Sequence, residues 1–395
     1  MNRSEKSGPR AAGTRASDRA GPAFTRRRVI TVLAAAAGAP LLCKGDHADE
    51  TVALYRWDGT SLGSPSRLLI CHPDRALAGR IAARCAAEIR RLEAIFGLYR
   101  ADSELARLNG DGRLESPSLD LLIVLAHCQR LAALSGGAFD VTVQPLWDLY
   151  ATHFFGPASP PTNGPEPQAI ENALRLVNWQ GVDVTTRRIR LARPGMGLTL
   201  NGIAQGYVTD RVTEILRDHG CDRILADLGC SELRASGRRA DGQPWRVGLA
   251  DPRQPEALAL TLDLCDGALC TSGGYGTKFE ASGRFHHLFD PATGVSAHHH
   301  IAVSVFAASA MIADALSTAL YTTPPERGPR LLEQFPGVSA IVTRPDGSIR
   351  HLAMLNRTTA AAYPGRDRGA ERQASLSSSN DRAKLSGQTT SNIAI

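Results

Sequence analysis

Strand-like apolar runs follow one another at residues 223–228, 245–249, 257–264, 268–271 and 301–307, and helical patterns resume only after 308 and 328. A doubly wound parallel sheet needs a crossover helix between successive strands, whereas antiparallel strands are joined by short turns. This succession predicts an α+β fold in which mixed or antiparallel sheets pack against helices. At 395 residues, 43% of them hydrophobic, the chain has ample material for a buried core, as one large unit or as two fused lobes.

Upstream, residues 51–71 read as strands around a turn, with Asp58-Gly59 as the break and Leu68-Leu69-Ile70 as a buried run. From Pro73 to about Leu98 the period becomes helical: Ile81, Cys85, Ile89, Leu92 and Phe96 form one stripe, with Arg80, Arg84, Glu88 and Arg91 off it. A second helix starts at Ser118 as N-cap and stops at Gly136-Gly137. Residues 156–168, rich in Pro, Gly, Ser and Thr, predict an exposed loop. A short helix over 167–176, a strand ending near Leu200 and a helix from about Ala204 to His219, closed by Gly220, come next.

The formal charge of +6 is accounted for by residues 1–28, which hold eight basic and two acidic side chains, so the rest is near neutral. A basic stripe for nucleic acid is therefore not supported. The leader continues as Thr25-Arg26-Arg27-Arg28 and an apolar run from Val32 to Leu42, which looks like a twin-arginine export signal and is about half the length needed to span a bilayer. A disordered basic arm is the plainer alternative, and Cys43 lacks the small preceding residues of a lipoprotein signal. The expected organisation is a leader over 1–48, one catalytic domain over 49–357 and a polar, disordered tail over 358–395. The mature chain is expected to sit in the periplasm with no integral membrane span. None of the eight cysteines forms a C-x-x-C pair or a zinc-like spacing, so few or no disulfides are expected.

Asp314 and Thr318, in SAMIADALSTALY, lie at i and i+4 of a helical pattern, so a carboxylate and a hydroxyl project together. Such oxygens suit a hard cation such as Mg2+, which takes one or two protein ligands and fills its shell with phosphate and water. The same residues equally serve a structural role, the carboxylate facing the helix dipole and the threonine bonding its own backbone. CTSGGYG, residues 270–276, offers glycines whose backbone can approach phosphate, or simply makes a turn. His286 and His287 precede Asp290-Pro291, and histidine is the natural base near neutral pH. His298, His299 and His300 suggest a transition-metal site, but neighbours on an extended segment point to opposite faces, which favours a solvated loop. In LTLNGIAQGYVTD, residues 198–210, Asn201-Gly202 marks a strand-to-helix turn whose amides can receive an anion.

The ordered series YRADSELARLN, GAFDVTVQPL, LNGIAQGYVTD, DLGCSELRASG, TSGGY, HHLFDPATG and ADALSTAL resembles the ApbE family of FAD:protein FMN transferases over about residues 52–355. With the leader, it looks most like the exported branch that serves nitrous oxide respiration. The resemblance implies a single catalytic unit of two lobes that binds FAD and Mg2+. A Thr or Ser hydroxyl of an acceptor flavoprotein would attack the pyrophosphate, keeping FMN as a phosphoester while AMP departs. It also implies roles: Asp314, Thr318 and the Ala204 carbonyl as magnesium ligands, His287 as base, and Tyr99, Ala138, Phe139, Asp140, Thr271 and Ser272 along the FAD pocket. Leu62 stands where the family usually has Met, in Leu62-Gly63-Ser64, and Thr199 and Gln205 replace residues that are commonly charged at the FAD site. Those departures keep open a periplasmic accessory protein that binds FAD without efficient transfer. A metal chaperone built on His298, His299 and His300 is a third reading.

Overall fold

The computed structural model describes residues 52–156, 163–229 and 231–353. The export-signal and tail expectations, and residues 157–162 of the loop expected over 156–168, lie outside the described residues. In chain order, β1 (Ala53–Ser61) and β2 (Ser64–His72) lead into α1 (Arg75–Phe96), α2 (Glu104–Asp111), β3 (Arg113–Glu115), α3 (Leu119–Ser135), α4 (Gln144–Phe155) and α5 (Pro167–Leu174). Then come β4 (Val182–Val184), β5 (Arg188–Leu191), α6 (Ala204–Asp218), β6 (Ile224–Leu228), β7 (Glu232–Ser236), β8 (Trp245–Asp251), β9 (Gln254–Leu264) and β10 (Gly267–Gly273). The chain closes with β11 (Ala302–Ala307), α7 (Ala310–Thr322), α8 (Gly328–Leu332), β12 (Ser339–Thr343) and β13 (Ile349–Leu352).

Eight strands form one sheet in the order β1-β2-β6-β7-β10-β11-β12-β13, and every pairing in it is antiparallel. Alternation divides its strands between two cores. Leu68 and Ile70 of β2, Ala226 of β6, Cys270 of β10 and Val305 of β11 join α1, α6 and α7 in the main cluster. Leu69, Leu225, Leu269 and Phe306 face the other way, onto the β8–β9 hairpin with Trp245 and Val247. The second lobe, made of α2, α3 and the small sheet β3-β5-β4, sends Leu108, Leu125, Leu114 and Ile189 into the same main cluster, so both lobes share one core. The α+β expectation is met. No helix among the described residues is long and apolar enough to cross a membrane.

Several elements form where their local chemistry placed them. Asp74 accepts the Leu77 N–H at the start of α1, and the whole predicted stripe of that helix is buried. Ser118 caps α3, which ends in left-handed Gly136.

Two expectations need correction. The first turn is not at Asp58-Gly59 but at Leu62-Gly63, both at positive φ of 48° and 77°, the geometry of a tight hairpin with right-handed twist. Asp58 instead sits mid-strand, its carboxylate held by Arg56 Nε at 2.6 Å and by Arg67 Nε across the ladder at 2.9 Å. The segment before Leu200 belongs to no strand. The Asn109 amide substitutes for a strand partner there, donating to the Leu198 carbonyl at 2.8 Å and accepting its N–H at 2.7 Å.

Candidate active site

A cavity of about 980 Å³ opens where the two lobes meet. Its walls bring together Leu62, Tyr99, Ala138, Phe139, Asp140, Thr199, Thr271, Ser272, His287, Asp314 and Thr318, residues spread over more than 250 positions of sequence. An apolar wall runs through Phe139, Val141, Trp147 and Phe289, the last backed by the ring cluster of Tyr150, Phe154 and Phe279. Tyr99, 65% exposed, stands at the rim edge-on to Trp147 at 6.2 Å. Its size and apolar walls with a few converging polar groups suit a large, partly aromatic ligand.

The polar end is built by two helices that satisfy each other's N-termini. Asp210 on α6 accepts from Ser309 Oγ at 2.6 Å and from the Ala310 and Met311 N–H groups at 2.8 and 3.0 Å, at the start of α7. Asp314 on α7, only 3% exposed, accepts the Gly206 N–H at 2.9 Å in the first turn of α6. Each carboxylate thus meets the unsatisfied amides and positive dipole end of the other helix. Arg234 of β7 adds an ion pair to Asp210. At the start of α6 the group received is thus a side-chain carboxylate, and it meets the Gly206 N–H rather than the Asn201-Gly202 turn.

Gly206 lets this happen, because a Cβ there would strike the Ala310 carbonyl and come within 2.8 Å of the Asp314 Cβ. One turn beyond Asp314, Thr318 presents Oγ1 to Ser272 Oγ at 3.1 Å. These oxygens make a donor set that fits a hard divalent cation. Among the described residues no group of three or more His, Cys, Asp or Glu side chains could hold a metal.

His287 lies on the cavity wall with Nδ1 3.2 Å from the Thr277 carbonyl. A carbonyl only accepts, so Nδ1 carries the proton and Nε2 is the basic nitrogen. His286 is 2% exposed and accepts the Leu288 N–H at Nδ1, and burial pushes its pKa down to about 4. The remaining histidines scatter: His298 is exposed whereas His300 is buried.

Asp140 ties the wall together rather than pointing a charge at solvent. It accepts from Thr142 N–H and Oγ1 at 2.7 and 2.6 Å and from the Trp179 N–H at 3.0 Å, while burial raises its pKa. Thr322 Oγ1 donates to the Ala138 carbonyl at 2.6 Å, anchoring the same segment to the end of α7.

Two of the expected site residues are absent from the cavity lining. Gln205 is 4% exposed, absent from the lining, and donates to Ser61 Oγ at 2.9 Å behind the wall. Ala204 is also buried outside the lining, while Gly202, two residues earlier, lines the cavity so close to Thr318 that a Cβ would lie 2.9 Å from its Oγ1. Asn201, read from sequence only as a turn residue, lines it as well, as do Ser231 and Glu232 of the DLGCSELRASG segment, which had no individual role there.

The profile of the ApbE family matches residues 62–342, well over half of the chain. The chain belongs to the ApbE family. It is 34% identical over 282 residues to the FAD:protein FMN transferase of Treponema pallidum, covering 66% of this chain and 76% of that protein. A second FAD:protein FMN transferase, from Haemophilus influenzae, is 31% identical over 257 residues, covering 62% of this chain and 73% of its own. The fold superposes on the flavin transferase ApbE of Vibrio cholerae with a TM-score of 0.65 and 25% identity, over 77% of this chain and 98% of the other. The flavinyl transferase ApbE of Pseudomonas stutzeri gives 0.61 and 28%, over 76% and 96%. In this ApbE-family chain the cavity therefore lies within the matched residues.

Proposed function

We propose that the chain is a magnesium-dependent FAD:protein FMN transferase that moves FMN from FAD to a Thr or Ser hydroxyl of an acceptor protein. The observation that carries the reading is the convergence of Asp314 and Thr318 on one helix with His287 in a single large cavity, in a member of this family. Asp314, Thr318 and the backbone of the 202–204 turn would hold the cation, which when bound neutralises charge on the diphosphate. The apolar wall around Phe139 and Trp147 would take the flavin, and Tyr99 would cover it at the rim. His287 Nε2 is the group to take the proton of the attacking hydroxyl. A new ester bond then forms between that oxygen and the FMN phosphorus, the anhydride bond to the adenylate breaks, and AMP carries away its electron pair.

The Arg26-Arg27-Arg28 leader supports export by the twin-arginine route, and with it maturation of a periplasmic respiratory flavoprotein of the kind used in nitrous oxide respiration. The test is to mix the protein with FAD, Mg2+ and a domain bearing the acceptor threonine, and to weigh that domain. A gain of one FMN, lost in Asp314→Ala, supports transfer. An unchanged acceptor beside bound FAD would favour the accessory-protein reading that Thr199 and Gln205 keep open.

A further inference from the structure

Behind Thr318 runs a chain of three hydroxyls that ends on a carbonyl. Ser317 Oγ, fully buried, donates to the Asp314 carbonyl at 2.9 Å; Ser272 Oγ lies 2.7 Å from Ser317 Oγ and 3.1 Å from Thr318 Oγ1. Each hydroxyl owns one proton, and a carbonyl owns none. If Ser317 spends its proton on the carbonyl, Ser272 must donate to Ser317, and Thr318 must donate to Ser272. All three bonds are satisfied together in this proton order alone.

We propose that Ser317 and Ser272 are positioning residues that turn Thr318 into a one-way oxygen donor. Its proton is drawn away toward β10, so the remaining lone pairs face the cavity beside the Asp314 carboxylate. A threonine free to rotate would present its proton to a cation part of the time, and the cation would repel it. The glycine at 202 matters to the same end, since a side chain there would crowd Oγ1 and close that approach. The relay also starts and ends on α7, at Thr318 and the Asp314 carbonyl, so the direction of one ligand is referenced to the backbone of the other. This inference rests on the cation reading of Asp314 and Thr318 given above.

The experiment titrates the full-length protein, with FAD present, with Mn2+ as the probe, reading free ion by electron paramagnetic resonance. Wild type, Asp314→Asn, Ser317→Ala, Ser272→Ala and the Ser272→Ala/Ser317→Ala double variant are compared, each checked for a cooperative melt. The expected pattern is tight binding in wild type, loss in Asp314→Asn, and roughly tenfold weakening in each serine variant, the worth of one directed hydrogen bond. The double variant is expected to bind no more weakly than Ser272→Ala, because a relay broken once cannot be broken again. Losses that multiply in the double variant, or serine variants that bind as wild type does while Asp314→Asn fails, overturn the relay and leave the cation site standing. No binding by wild type overturns both. If Ser317→Ala does not fold, wild-type affinity in Ser272→Ala is by itself enough to overturn the proposal.

Discussion

Asp314 and His287 carry different burdens, and their variants should separate. Asp314→Ala removes the only carboxylate on the Thr318 face of α7, so transfer is expected to fall at least about a hundredfold together with loss of metal dependence, read as acceptor flavinylation against Mg2+ concentration. His287→Gln keeps a donor near the Thr277 carbonyl but no base, so transfer should fall by roughly 10²–10⁴ while FAD binding, followed by flavin fluorescence, stays near wild type. Spacing alone left Asp314 and Thr318 open to a structural role, and the resemblance singled them out with His287; the structure brings all three to one cavity. Ala204 and Gln205 are outside the lining: the chain turns into α6 at Ile203, with φ −153° and ψ −33°, and spacing cannot say which peptide of such a turn faces the cavity. Gly202 does so only because Thr318 packs on it from another element.

The reciprocal capping of α6 and α7 is the structural unit that delivers the site. Asp210→Ala would strip three acceptor contacts from the head of α7 and leave the half-buried Arg234 without its carboxylate. Losing these charge-assisted contacts lowers stability by roughly 2–3 kcal/mol, measurable as a lowered urea midpoint. Gly206→Ala should act through geometry instead: the added methyl forces α7 off α6, weakening metal binding and stability together, while Gly63, with open space around its Cα, should tolerate alanine at only the cost of its positive φ. Element boundaries were readable where a cap or a glycine marks them, as at Ser118 and Gly220. The α4 helix was missed because it is apolar on several sides, Leu146, Trp147, Tyr150 and Phe154 all packing into the ring cluster, so it lacks a one-faced pattern. The Leu62-Gly63 hairpin was missed because leucine is not a turn former. Its backbone is fixed from outside, by Glu93 Oε1 accepting the Leu62 N–H at 2.8 Å.

Across the whole molecule, two buried imidazoles set an acid limit. Burial holds His286 and His300 down to about 4, whereas the unfolded chain protonates them near 6.5. Between those values the unfolded state binds more protons, so stability should fall as pH drops from about 6.5 toward about 4 and change little from these groups below that. Burial raises the Asp140 and Asp148 carboxyls, which works in the opposite sense within the carboxylate range. Urea midpoints across that window, with His286→Gln flattening part of the slope, check the sign. The antiparallel sheet and its two faces were foreseeable from strand succession, but the closing of two lobes on one cavity was not, since it depends on contacts such as Thr322 to Ala138 between segments 184 residues apart. The central claim is that this cavity grips the diphosphate of FAD through a cation held by α7. Calorimetric titration of FAD with and without Mg2+ tests it most directly: wild type should bind FAD at least about tenfold tighter with Mg2+, and Asp314→Asn should show no such gain. An FAD affinity indifferent to Mg2+ in wild type would contradict the account.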